Sequence, residues 1–319
     1  MAIISNCAAD AIKDAATALI NGDLVAFPTE TVYGLGADAA NQSAVKKIYQ
    51  VKGRPEDHPL IVHISNLQYL DRLATEIPEY AIKLGRAFWP GPMTLILRRT
   101  ELAKDFITGG QDNVGIRVPD QTLALALLAE FESQGGMGVA APSANRFGKV
   151  SPTTASAVEA ELGQYLGEND QILDGGASAV GVESTIIDCT THTPIILRPG
   201  AITYAMIFDL TGIEPGGVNK VDTKASGLLE YHYAPNAKVI IDQIPAAGDG
   251  FIALSDIKTP EGVIRLAAPK NNTEYAKLLY QALRSADEQQ IKIVHAQLPT
   301  GDDIAAAIRD RISKAANTI

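Results

Sequence analysis

Lys52 and Arg54 stand either side of a single glycine, and His58 and His63 follow shortly after them. Gly53 carries no side chain, so the two cationic heads can converge on one anion while the backbone stays close. A forked guanidinium beside a point-charge ammonium suits phosphate or carboxylate recognition. The same pair would equally complement the dipole of a helix ending there. A second polar group, Ser143 and Asn145 within Ala141–Asn145, then Gly148 and Ser151, follows a strand pattern. Ligands of open α/β sheets collect at such strand ends, although a plain turn has the same composition. A third runs from Pro28 to Gly36 and includes Thr29, Glu30 and Thr31; its glycines read as turn residues and Glu30 as a cap. Arg117 lies in the otherwise apolar run Val114–Val118, so it needs an internal salt bridge or an anionic ligand. Arg198, before Pro199 and Gly200, poses the same choice, and Ser184 sits in a polar turn, Gly181–Thr185.

Standard signatures are absent from the sequence. There is no Walker A stretch, no glycine fingerprint opening a helix, no nucleophile elbow and no metal-spaced histidine pair. The residue types alone therefore reach an anion pocket lined by Lys52, Arg54, Arg117 and Arg198. They do not reach a reaction.

Positioning such side chains requires strands and helices in alternation. Leu24–Pro28, Leu60–Ile64, Thr94–Leu97, Val114–Val118, Val139–Ala141, Thr185–Ile187 and Ile195–Leu197 read as strands. Ser43–Val51 is predicted helical, with Val45, Ile48 and Val51 at spacing three and Gly53 as its C-terminal cap. Pro78–Phe88, Gln121–Phe131 and Thr154–Leu162 are further helices. Periodicity fails across residues 212–237, where glycines and prolines cluster as in a linker. Strands at Val239–Ile241, Phe251–Leu254, Val263–Leu266 and Ile291–His295 follow, with helices at Glu274–Ala286 and Asp303–Ala316. The fold class expected is α/β: a first domain over 1–212, a linker over 213–237 and a small domain with a mostly parallel sheet over 238–319. Strand order is not fixed by these patterns.

Composition narrows the classes. The chain has 319 residues, 46% of them hydrophobic, and 27 basic against 37 acidic side chains, a net charge of −10. Length suggests two domains, and the negative balance disfavours a general grip on nucleic acid. Cys7 and Cys189 are too few for a disulfide framework or a four-ligand zinc site. Charges at Asp10, Lys13 and Asp14 break the first apolar stretch, which reads as a short strand and helix and not as a signal peptide. No apolar run is long enough to span a membrane, so a cytoplasmic location is expected.

The stretches FPTETVYGLGADA (27–39), KGRPEDHPLIVHI (52–64), WPGPMTLIL (89–97), VGIRVP (114–119), APSANRFGKVSPT (141–153), VESTIID (182–188) and ILRPGAI (196–202) resemble the YrdC-type fold. Their order, with HYAP (232–235) and the small C-terminal domain, resembles the two-domain threonylcarbamoyl-AMP synthases. That resemblance implies condensation of L-threonine, bicarbonate and ATP into threonylcarbamoyl-adenylate, with Mg²⁺ on the triphosphate and pyrophosphate released. Downstream tRNA-modification proteins would accept the adenylate. It further implies that Lys52, Arg54, Ser143 and Asn145 hold phosphates and carbamate, and that Thr31, His63, Arg117 and Ser184 surround threonine. Arg54, His58, Ser143, Ser151, Arg198 and Tyr233 would adjoin the nucleotide, Tyr233 from a linker acting as a lid. Departures exist: His58 replaces a common Asn, Phe147 a common Ser, and Leu229, Glu230 and Tyr231 stand where basic residues are frequent. Two rivals share the fold, a carbamoyl-adenylating carbamoyltransferase and a non-catalytic RNA-binding module. The first would need zinc-finger cysteines that this chain lacks, and the second sits poorly with a charge of −10.

Overall fold

The computed structural model describes residues 3–5, 9–217, 223–225, 227 and 233–317. Two sheets organise them. The larger runs in the order Ile3–Ser5, Gln171–Leu173, Val25–Phe27, Gly34–Asp38, Val139–Ala140, Ile61–His63, Asn113–Arg117, Met93–Arg99, Thr185–Asp188 and Ile195–Arg198. Ala74–Thr75 pairs with Met93–Arg99 outside that path. Its pairing is mixed: Ile61–His63 lies parallel to Asn113–Arg117 and antiparallel to Val139–Ala140. That register sets His63 directly beside Arg117.

Helix Gln42–Lys52 shows how local sequence places a functional group. The Asn41 side chain accepts from the Ala44 N–H, capping the start. Val45, Ile48 and Val51 are buried, and Gly53 ends the helix at φ 61°, the left-handed conformation glycine adopts most readily. Lys52 therefore falls on the buried face, 2% exposed, and is not a solvated helix end.

Gly34–Asp38 is a strand, not the glycine turn its composition suggested. A Cβ at Gly36 would come within 2.7 Å of Val139 and 2.9 Å of Phe27. The glycine is there for close packing, which periodicity does not register. Gln171–Leu173 and helix Tyr204–Thr211 also escaped the pattern. In that helix only Ile207 is buried, while Tyr204, Phe208 and Leu210 are exposed.

The smaller sheet runs Lys238–Ile241, Ile293–Ala296, Gly250–Ile252, Ile264–Ala267, every pairing parallel. Helices Asn272–Glu288 and Ala305–Ala316 pack on it. One apolar cluster joins the two units: Val32, Val150 and Val182 pack with Tyr233, Leu279, Tyr280 and Ile308. Within the stretch read as a linker, Lys224 is held on the first unit. Gln111 accepts from its N–H at 2.7 Å and donates to its carbonyl at 3.1 Å. Cys189 is buried, whereas Cys7, Leu229, Glu230, Tyr231 and His232 lie outside the described residues.

Candidate active site

A narrow cavity opens where the strands around His63 and Arg117 meet the Ser143 and Ser184 turns. His63, Arg117, Ser143, Ser184, Arg198 and Tyr233 line it, together with Thr29, Tyr33 and Glu183. Six of the residues selected from the sequence thus share one space. The remaining six stand behind its walls or beside it.

Lys52 lies behind the Ser143 wall. Its Nζ donates to the Ser143 carbonyl at 2.5 Å and to the Asn145 carbonyl. Burial, reinforced by Arg54, pushes its pKa well below the usual lysine range. Arg54 is buried too, lowered to about 10 chiefly by desolvation. Its Nη2 donates to the Pro59 carbonyl at 3.0 Å, and its Nε has no hydrogen-bond partner among the described residues. The Asn145 amide donates to the carbonyls of Arg146 and Lys149, leaving its Oδ1 without a donor there. These are cations and polar atoms held by neutral carbonyls. His58 stands against Phe147, ring centroids 5.3 Å apart, and the Arg54 guanidinium lies 5.9 Å over the same ring. Phe147, a departure from the family pattern, therefore packs both.

Arg117 faces Thr31 and an unforeseen partner. Its Nη2 donates to Thr31 Oγ1 at 2.9 Å and lies 2.8 Å from Glu30 Oε2. Glu30 is 6% exposed. It makes an internal ion pair and not a cap. Beside Arg117, His63 is buried, and desolvation followed by the Arg117 charge lowers it to about 3. Its imidazole is neutral, and it meets the Phe27 ring edge-on at 5.7 Å.

Around Ser184 the geometry is fully bonded. Its hydroxyl pairs with Thr94 Oγ1 at 2.8 Å, and its carbonyl accepts from Arg198 Nε and Nη2 at 3.1 and 2.9 Å. Burial lowers the Arg198 pKa. Ser151 donates to Glu183 Oε1 at 2.6 Å. Tyr233, at φ 65°, stacks on Tyr280 with centroids 5.7 Å apart. Burial raises its pKa to about 12, so the phenol stays protonated.

Glu183 is the functional group that sequence reasoning passed over. It was legible only as one residue of a polar turn. Its partners, Tyr280 and Arg311, lie 97 and 128 residues away. A wider depression elsewhere, lined by Arg98, Arg99, Glu101 and Asp105, holds none of the selected residues. Its charges pair locally, as Arg99 does with Asp105 at 2.6 Å. Among the described residues no cluster of three metal-ligating side chains occurs.

Such a site can bind a compact anionic ligand against neutral imidazole, hydroxyls and buried cations. Comparison with known proteins gives that chemistry a family. Residues 17–200 match the Sua5/YciO/YrdC family model, described as telomere recombination. Residues 202–317 match the model described as threonylcarbamoyl-AMP synthase, C-terminal domain. The threonylcarbamoyl-AMP synthase of Pyrococcus abyssi is 40% identical over 324 residues, 95% of this chain and 93% of its own. That of Bacillus subtilis is 40% identical over 328 residues, 96% and 92% of the two chains. The crystal structure of P. abyssi Sua5 complexed with L-threonine superposes with a TM-score of 0.88 at 37% identity, covering 99% of this chain and 97% of that one.

Proposed function

The chain belongs to the threonylcarbamoyl-AMP synthase family, and on that premise we propose that it condenses L-threonine, bicarbonate and ATP. The threonine amine and bicarbonate give a carbamate and water. A carbamate oxygen then attacks the α-phosphorus, forming threonylcarbamoyl-adenylate and releasing pyrophosphate. Carbamates decompose readily in water, which suits a narrow, largely buried cavity.

The observation that carries this reading is the convergence of His63, Arg117, Ser143, Ser184, Arg198 and Tyr233 on one space, backed by Lys52 and Arg54. Arg117 and Thr31 would orient the threonine carboxylate and hydroxyl, with neutral His63 beside them. Glu30 tethers Arg117 through the same Nη2 that meets Thr31, so the guanidinium is pre-aimed before threonine arrives. Lys52, Arg54 and Asn145 would stabilise the charge that gathers on the phosphates as the bond from the α-phosphorus to the leaving pyrophosphate breaks. Ser151, Arg198 and Tyr233 would border the nucleotide. Mg²⁺ would enter as the counter-ion of the nucleotide, since the cavity carboxylate, Glu183, already binds Arg311.

Among the described residues no helix is long and apolar enough to cross a membrane. The need for ATP and for tRNA-modifying acceptors would place the reaction in the cytoplasm. Downstream tRNA-modification proteins would take up the adenylate. Pyrophosphate release that requires both threonine and bicarbonate is the test. Release independent of either substrate would point to plain ATP hydrolysis and remove the proposal.

A further inference from the structure

Glu183 divides its carboxylate between the two halves of the protein. Oε1 accepts from Ser151 of the first unit at 2.6 Å. Oε2 accepts from the Tyr280 hydroxyl and from Arg311 Nε of the second, each at 2.8 Å. Arg311 is fully buried and has further partners. Its Nη2 donates to the Pro199 carbonyl at 3.2 Å, its Nη1 pairs with Asp310, and its guanidinium lies 5.2 Å over the Tyr233 ring. Glu183, Ser184, Arg198 and Tyr233 all line the cavity. One side chain of the C-terminal unit thus touches three separate segments that build the catalytic wall.

We propose that Arg311 is a positioning residue for the cavity: through Glu183, Pro199 and Tyr233 it holds the Ser151, Ser184 and Arg198 wall in register with the Tyr233 ring. The inference rests on the synthase reading above. Arg311 is too far back to be a ligand group itself, being sealed behind Glu183 and Tyr233. It acts by keeping a buried carboxylate ionised. Burial alone would raise the Glu183 pKa, but Arg311 and Arg198 outweigh it and hold it at about 2. The charged and titratable groups facing Glu183 are Arg198, Tyr233, Tyr280 and Arg311, with Asp310 on the far side of Arg311 and Lys314 paired to Asp310 beyond it. Without Arg311, burial gains on the remaining partners and the carboxyl takes up a proton at higher pH. Protonated, one of its oxygens becomes a donor, and the Ser151 or the Tyr280 bond must rearrange.

Full-length Arg311→Met, Arg311→Lys and Tyr280→Phe proteins, shown to be folded by circular dichroism, test this through threonine-dependent pyrophosphate release between about pH 6 and pH 8.5. Arg311→Met should raise the KM for ATP about tenfold while kcat changes less than about threefold at the alkaline end. Its rate should then fall further than the wild type's toward pH 6. Arg311→Lys, which keeps the cation, should recover most of the loss. A folded Arg311→Met protein with wild-type KM and pH profile overturns the proposal. So does a loss shared equally by KM and kcat with no change in pH profile, because that marks a purely structural residue. If Arg311→Met does not fold, Arg311→Gln decides on the same two readouts, and Tyr280→Phe, which leaves the cation in place, must show no added acid sensitivity. Wild-type protein that releases no pyrophosphate brings down the synthase reading, and this inference with it.

Discussion

The wall around Lys52 and the wall around Glu183 are both buried and both charged, yet they are built on opposite principles. Lys52 is bonded to carbonyl oxygens and lies near a second cation, Arg54; Glu161, itself paired with Arg284, favours its charge, but burial outweighs that and the charged form is disfavoured. Glu183 is surrounded by a cation and two hydroxyls, and its charged form is strongly favoured. The first region gains by meeting an anion; the second is already neutralised from within. Charge that lacks a counter-ion belongs to ligand recognition, and charge that has one belongs to architecture. Arg117 stands between the two, sharing itself between Glu30 and the cavity.

That contrast predicts effects of different kinds. Lys52→Ala should lower the rate of pyrophosphate release roughly 10²–10³-fold, as expected for a group stabilising developing charge, with the fold retained by circular dichroism. A loss below about threefold would move Lys52 out of the reacting region. Glu183→Ala should cost stability as well as raise the ATP KM, because it leaves buried Arg311 with one carboxylate partner fewer, Asp310 remaining. About 3–5 kcal/mol is the usual loss on breaking such a buried pair, measured by denaturant unfolding. A loss under about 1 kcal/mol would show that the pair is not part of the architecture.

Acid should reveal the difference without mutation. His63 is lowered to about 3 from an ordinary 6.5, so the unfolded chain binds the proton first as pH falls. Stability therefore declines with acidification from about pH 6.5 downward, by at most about 1.4 kcal/mol per pH unit from this group. Glu183, lowered to about 2 from 4.5, adds its own decline only below the ordinary carboxylate range. Its contribution is fully present above that range and is lost as pH approaches its folded value. A His63→Asn protein should lose the slope between about pH 6.5 and pH 5, and below that keep the part that Glu183 supplies. An unchanged profile would contradict the neutral, desolvated imidazole. Smallest of all, Glu30→Gln should raise the KM for threonine about threefold to tenfold, by loosening the aim of Arg117. No change would leave the tether without a role in binding.

Much of this was readable in the residues. The helix over 43–51 and its Gly53 cap follow from spacing and from glycine's tolerance of positive φ. The strands carrying His63, Arg117 and Arg198 follow from β-branched runs. Arg117 in an apolar strand announced that it needed a partner, though nothing local identified Glu30. What stayed hidden depends on contacts distant along the chain. Strand Gly34–Asp38 has glycines where Phe27 and Val139 press in, so it carries no alternation to read. Glu183 and Arg311 each look like ordinary exposed charges until the fold brings two domains together. Lys52 looked like a helix-end cation for the same reason, and only the packing of Ser143 and Asn145 above it shows otherwise.

The central claim is that this cavity joins carbamate to the α-phosphate. Supplying ¹³C-bicarbonate, unlabelled threonine and ATP, and recording the products by mass spectrometry, tests it most directly. The account predicts threonylcarbamoyl-adenylate heavier by a single ¹³C, formed in step with pyrophosphate and strongly reduced in Lys52→Ala. Consumption of ATP with no labelled adenylate, or equal labelled product from Lys52→Ala, would contradict it.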